Sequence, residues 1–256
     1  MLNRIHAWLP EFTYTGEFEV IGDNKLNVQW QIRFLSDGVL TILNPNSASR
    51  GIDAFLVGGG GGGACAYNWY YKLGGDAGGG SGYTATVKNL TLERGGTYEI
   101  VVGQGGKLGY ANDTSAASAT AGAGTASIAF GATANGGVGA GASVSSDSGV
   151  GRAGNGGSGG SIYAQFWNGS SATEGGKDGN DGTRAGNPVV GSAGTGQHTT
   201  TRAFGDPDGD LYAQGGGTSG GTPQTSNTGN GGNGGYNDAN RCTDGCSGVV
   251  IIRLHR

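Results

Sequence analysis

The side chains able to do chemistry fall into a few small groups. Asp206, Asp208 and Asp210, in the run Asp-Pro-Asp-Gly-Asp, have the alternate spacing with which a calcium loop begins. An EF-hand also needs glycine at its sixth position and glutamate at its twelfth. Leu211 and Gly217 stand there instead, so a tight Asp-Pro-Asp-Gly turn is the reading. The cysteines are Cys65, Cys242 and Cys246. Cys242 and Cys246 lie close enough to close a small loop; the alternative is free thiols in a reducing compartment. His6, His198 and His255 show no ligand spacing, so no metal and no other cofactor is expected. Gly58 to Gly63 is an unbroken hexaglycine, but no Gly-Lys-Ser/Thr follows it, which excludes a phosphate loop. No Ser-His-Asp set or carboxylate pair is spaced for catalysis. The chain is not expected to be an enzyme.

Aromatic side chains are the remaining chemistry. Ala66 to Leu73 carries Tyr67, Trp69, Tyr70 and Tyr71. Ser161 to Thr173 carries Tyr163, Phe166 and Trp167, and Gln197 to Gln214 carries His198, Arg202, Phe204 and Tyr212. Tyrosine and tryptophan beside small polar residues make recognition surfaces, including those that stack sugars. These residues are the receptor-binding candidates. The competing reading is that the same rings cover the ends of the glycine-rich region or its seam with the rest of the fold.

Positioning such loops requires a frame, and alternation of apolar and polar residues marks it. Val28, Trp30, Ile32 and Phe34 alternate with Gln29, Gln31 and Arg33. Phe12 to Thr15, Phe18 to Ile21, Val39 to Leu43, Ile52 to Val57, Tyr83 to Val87, Tyr98 to Val102 and Val249 to Leu254 read as further strands. No stretch holds a 3.6-residue period. The expectation is an all-β fold: a β-sandwich of jelly-roll or TNF-like type, built from 12–57, 83–102 and 248–256. The final strand must return to the same sheet to bury Val250, Ile251 and Ile252.

Between those strands lie 58–82 and 103–247, where the glycines concentrate; the whole chain has 59 in 256 residues. A disordered glycine linker is the bland reading. Against it stand large aromatics, a net charge of only −4, and glycines in register at every third residue: Gly103, Gly106, Gly109; Gly151, Gly154, Gly157, Gly160; Gly176, Gly179, Gly182; Gly229, Gly232, Gly235. Three residues per turn is the period of the polyproline-II conformation. The expectation is therefore a bundle of extended glycine helices that hydrogen-bond to one another, with Gly58 to Gly63 as its central rod. One such helix alone cannot repay an ordering cost of ~1–2 kcal/mol per residue. A lattice of several can.

The mild charge argues against nucleic acid as a partner. No apolar run approaches a membrane span, so no membrane insertion is expected, and the first residues do not read as a secretory signal.

The pattern FTYTGEFEVI…WQIRFLSDGVLTI…IDAFLVGGGGGG…GGTYEIVVGQGG…SGVVIIRLHR resembles a glycine-rich family of virion tail or surface proteins encoded by phages and prophages of gut Firmicutes, with a polyglycine-II bundle inserted in a TNF-like sandwich. The arrangement is also similar to the glycine-rich ectodomain of anaplastic lymphoma kinase and to the distal adhesin of some T-even-like phages. The resemblance implies a non-enzymatic protein at the virion surface, assembled in the bacterial cytoplasm: a tail-tip or tail-fibre adhesin contacting a host glycan or protein receptor. A head fibre, decoration protein or structural spacer without a receptor is the alternative. Implied partners are other virion proteins and further copies of the chain, with a trimer favoured. Trp8, Leu9 and Pro10, in the segment 1–11, are the candidates for virion attachment, against the alternative that they fold back on the sandwich.

Overall fold

The fold follows from a computed structural model describing residues 9–22, 30–68, 70, 73–113, 116–146, 148–158, 160–164, 189–190, 202–218, 224–235 and 242–255. It is all-β; among the described residues, helix is limited to short 3₁₀ turns such as Asn46–Arg50 and Ala203–Gly205.

Two five-stranded sheets form the base. One has the order β1 (Glu11–Tyr14), β4 (Gly38–Asn44), β9 (Thr97–Val101), β12 (Ser127–Ala129), β13 (Ala132–Ala134). The other runs β2 (Phe18–Ile21), β3 (Gln31–Phe34), β18 (Val249–Leu254), β5 (Ile52–Val57), β8 (Thr84–Leu90). Alternation decides what faces inward. Ile32 and Phe34 of β3, Leu40 and Ile42 of β4, Ile52, Ala54 and Leu56 of β5 and Val250 and Ile252 of β18 share one buried core with Trp30 and Ile100. That core makes the base sandwich-like. β18 pairs antiparallel with both β3 and β5, so the end of the chain closes the centre of its sheet.

The other face of β5 and β18 is covered too. Phe55, Val57, Val249 and Ile251 pack against Phe204, Tyr212 and Ala213. A strand buried on both faces reads as a continuous apolar run, which is why Ile52 to Val57 does not alternate.

β12 and β13 fall inside the expected insert 103–247, yet they extend the sandwich: Ile128 pairs with Val101, and Ala129 with Ile100. Their hairpin turns on Phe130 and Gly131, both at positive φ. The glycine-rich region therefore returns to the base between its excursions.

Those excursions are extended segments running away from and back to the sandwich. Gly58 to Gly63 continues β5 without a turn and sits at their centre. Its N–H groups go in rotation to three neighbours. Gly58 and Gly61 donate to the carbonyls of Tyr83 and Gly80, Gly59 and Gly62 to those of Thr125 and Gly122, and Gly60 and Gly63 to those of Cys246 and Thr243, at 2.8–3.1 Å. All three neighbours run antiparallel to it. Its carbonyls accept from three other segments: Gly137 and Ala140 donate to Gly59 and Gly62, Gly106 and Gly109 to Gly60 and Gly63, and Gly232 to Gly61. Each neighbour is met again after three residues, so six segments surround one. A β-carbon on any of the six glycines would collide with a neighbouring carbonyl oxygen, of Asn135, Gln104, Asn230, Val138, Lys107 or Asn233 in turn. Side chains are excluded because backbones lie where they would stand.

The same rule spaces glycines on the outer segments. Gly106, Gly109 and Gly232 turn to the central rod, while Gly154 and Gly157 donate to Gly78 and Ser81. Between them, Lys107, Leu108 and Asn155 carry exposed side chains, whereas the buried Asn230 and Asn233 turn their Oδ1 atoms to the backbone N–H groups of Gln214 and Gly217. Gly176, Gly179 and Gly182 lie outside the described residues.

Beyond the rods, the chain regains strand pairing. β10 (Gly109–Asp113), β6 (Ala64–Asn68), β7 (Leu73–Ala77), β16 (Ile162–Ala164) and β17 (Val189–Val190) form one distal sheet; β11 (Ala117–Thr120), β14 (Gly141–Val144) and β15 (Gly149–Arg152) form another. They stack through a core made almost wholly of alanine: Ala64, Ala66, Ala77, Ala117, Ala119 and Ala142, with Val144 and Ile162. Small side chains suit sheets that grow directly out of close-packed backbones.

Candidate functional site

The distal sheets have two outer faces, and register determines what each presents. Across the five-stranded distal sheet, Tyr110 lies opposite Cys65, Cys65 opposite Asp76, Asp76 opposite Tyr163, and Tyr163 opposite Val190. Residues opposite one another share a face, and this face is the one turned away from the alanine core. Asn112 pairs with Tyr67 two residues further along the same face. Tyr110 is 46% exposed, and its hydroxyl accepts from Asn112 Nδ2 at 3.0 Å. Tyr67 is half-buried. In the turn after β6, Tyr70 is 76% exposed, and its backbone N–H donates to Oδ1 of the buried Asn68 at 3.0 Å. The register thus sets Tyr67 on the same face as Tyr110, with Tyr163 in the row of Tyr110, while Tyr70 stands in the turn beyond the end of β6.

Tyr110 is missing from the sequence-based candidates. Its segment, Gly-Tyr-Ala-Asn-Asp, lacks an aromatic neighbour, and only pairing with β6 gives it company.

The base of this face is cross-linked. Cys65 is disulfide-bonded to Cys242, with Cα atoms 6.2 Å apart and a sequence separation of 177. That pairing corrects both readings made from the sequence, the Cys242–Cys246 loop and three free thiols. Cys246 is buried and free; its thiol donates to Gln224 Oε1 at 3.3 Å, and burial pushes its pKa up. Cys242 and Cys246 are four residues apart on an extended segment, where no tight loop brings them together.

The other candidates divide by burial. Phe204 and Tyr212 are 2% and 6% exposed. Their rings stand 5.8 Å and 5.5 Å from that of Phe55, so they seal the outer face of a base sheet and present nothing to a receptor. Arg202 supports the same cap, donating to the Gly209 carbonyl at 3.0 Å. Leu9 packs against the sandwich core and Pro10 is buried; Asn46 Nδ2 donates to the Leu9 carbonyl at 3.0 Å. Within the chain, these two residues lie against the base. Trp8, Trp69, Tyr71, Phe166, Trp167 and His198 lie outside the described residues, and Tyr163 is described by its backbone alone.

Asp206, Asp208 and Asp210 belong to the cap and line a cleft of about 420 Å³ with Gln31, Phe204 and Arg253. Their run is the expected turn: the Gly209 N–H donates to the Asp206 carbonyl at 2.9 Å. Two of these carboxylates, Asp206 and Asp210, are held by arginine. Asp206 takes both terminal nitrogens of Arg253, whose Cζ lies 4.0 Å above the Phe204 ring. Asp210 accepts from Arg33 Nη2 at 3.0 Å. Buried Asp53 lies beside Arg253 at 3.6 Å and His255 Nδ1 at 2.6 Å. Among the described residues, no group of histidine, cysteine and carboxylate side chains is arranged to hold a metal. The cleft is a structural clasp that ties the cap to β18.

Residues 36–255 match the model of a family described as a glycine-rich domain. The chain belongs to this glycine-rich domain family. The match begins at the Ser-Asp-Gly turn before β4 and ends with β18, so it covers most of the base together with the rods and the distal sheets. No curated protein matches the chain.

Proposed function

We propose that this glycine-rich domain protein is a bacteriophage virion surface protein, a tail-tip or tail-fibre adhesin. In this reading a TNF-like jelly-roll base carries a polyglycine-II bundle, which displays a receptor-contacting face at its far end. The observation that carries it is the rotation of Gly58 to Gly63 through six neighbours with a three-residue repeat. That repeat is the mark of packed polyproline-II-type threads. Six residues at ~3.1 Å each hold the distal sheets ~19 Å beyond the sandwich. All six N–H groups of the rod and the carbonyls of Gly59 to Gly63 are spent on neighbours, which makes the spacing stiff.

The exposed rings of Tyr70 and Tyr110 at the far end support recognition. Rigid frames with displayed aromatic side chains place binding groups at low entropic cost. The receptor is then a host glycan or protein, and the base attaches to other virion proteins or to further copies of the chain. Burial of Phe204 and Tyr212 favours the second reading, a head fibre, decoration protein or spacer without a receptor, because it turns one of the three aromatic stretches into packing.

Particles carrying Tyr70→Ser and Tyr110→Ser distinguish the two. The adhesin reading expects normal particle yield with slower adsorption to host cells. Unchanged adsorption at normal yield refutes it and leaves the spacer.

A further inference from the structure

We propose that the trough on the outer face of the β11–β14–β15 sheet is a binding site for an oxyanion, a carboxylate or sulfate group, with Arg152 as its charge partner. The trough lies on the opposite side of the distal module from Tyr67 and Tyr110. It encloses about 300 Å³ and is lined by Ser118, Thr120, Gly141, Ser143, Val150 and Arg152. Register sets this floor in two rows. Ser118, Ser143 and Val150 make one; Thr120, Gly141 and Arg152 make the other.

Gly141 creates the depression. It has no side chain between Thr120 and Arg152, which stand two strand spacings apart, ~9–10 Å. On the inner face Ala117, Ala119, Ala142 and Val144 are packed into the alanine core, so the floor is held from beneath.

The chemistry of the lining is unspent. Ser118, Thr120, Ser143 and Arg152 are exposed, and among the described residues none of their side chains makes a hydrogen bond or ion pair. Arg253 shows the contrast: its charge is consumed by Asp53 and Asp206. An unpaired guanidinium offers a planar fork of donors matched to a carboxylate or sulfate. The hydroxyls add groups that both donate and accept, and Val150 supplies an apolar edge. A polyol carrying an acid group, such as an acidic sugar, satisfies all of these; a free anion satisfies only the first. The net charge of −4 gives the molecule no general attraction for anions, so binding has to be local. The inference deepens the recognition reading, but it is tested on purified protein, so its failure and that of host adsorption are separate results.

The test titrates the ¹⁵N-labelled full chain at low salt with galacturonic acid, galactose and inorganic sulfate, following the amides of 118–120, 141–143 and 150–152. Galacturonic acid is expected to shift them saturably, and galactose is expected to leave them in place. Arg152→Gln should weaken binding by about tenfold or more, the loss of a charge-assisted contact. Gly141→Val keeps the arginine but fills the trough, and should weaken binding as well. It fits the fold, because a β-carbon there meets only Arg152 Cβ at 3.8 Å and the Ala119 carbonyl oxygen at 3.9 Å. Galacturonic acid binding tighter than sulfate assigns the ligand to an acidic sugar; equal affinities assign it to the bare oxyanion. No saturable shift with either acid, or shifts unchanged in both variants, overturns the site.

Discussion

Gly61→Ala is the substitution whose outcome depends most on how the rods pack. The Gly61 N–H donates to the Gly80 carbonyl at 2.8 Å, and its carbonyl accepts from the Gly232 N–H at 2.8 Å. The new methyl group lands on the carbonyl oxygen of Val138, itself the acceptor for the Gly80 N–H at 3.0 Å. Relief requires the rods to part, which weakens three buried backbone hydrogen bonds together. Each is worth ~1 kcal/mol net, and each buried group left without a partner costs ~1–3 kcal/mol. The expected loss is ~3–6 kcal/mol, a large share of a total stability of ~5–15 kcal/mol. In a loose coil the same change has almost no effect, because the segment is as free in the folded protein as in the unfolded one, and the entropic gain of alanine over glycine needs an ordered native position. Urea unfolding followed by circular dichroism measures the difference, with Gly141→Ala as the control where a β-carbon has room. A Gly61→Ala protein as stable as wild type refutes the packing argument.

Reducing the Cys65–Cys242 bond frees a 177-residue loop, for which chain entropy gives an upper figure of ~5 kcal/mol; calorimetry with and without a phosphine reductant should show a fall in Tm of several degrees, and an unchanged Tm argues against the cross-link. Phe204→Ala should cost ~3–5 kcal/mol in urea unfolding by emptying the space against Phe55, and an unchanged midpoint would mean the cap contributes nothing. Burial, and then the nearby Asp37 carboxylate, push the Tyr14 phenol up to about 12. Its folded pKa is raised, so its contribution is complete below pH ~10 and is lost as pH rises towards that folded value. Tyr14→Phe should flatten the alkaline limb of the stability profile over that window, and an unaltered limb would remove Tyr14 from it.

The base was legible because large apolar side chains alternate there. Phe18–Ile21, Ile52–Val57 and Val249–Leu254 occur at the expected bounds, and β1, β3, β4, β8 and β9 shift by a few residues at most, whereas β12 and β13 have no counterpart among the strands read from the sequence. The distal strands carry a weaker form of the same signal. Ala-Ser-Ala-Thr in β11 alternates too, with alanine inward and hydroxyls outward, but a methyl group against a hydroxyl gives little contrast. Two further misreadings come from long range. Nothing local says that Cys65 meets a partner 177 residues away, or that Phe204 lies on Phe55; pairing and burial decide both. The Tyr67 and Tyr163 stretches were chosen separately, and only the register of β6, β7 and β16 shows that one sheet face joins them.

Amide hydrogen exchange across Gly58 to Gly63 is the most direct measurement of the central claim. These residues have no side chains to shield them, so protection can come only from neighbouring backbones. If six segments enclose the rod, its amides exchange with the slowest group in the molecule, beside those of β5 and β18, and open only with global unfolding. Exchange at the rate of an exposed loop would contradict the account.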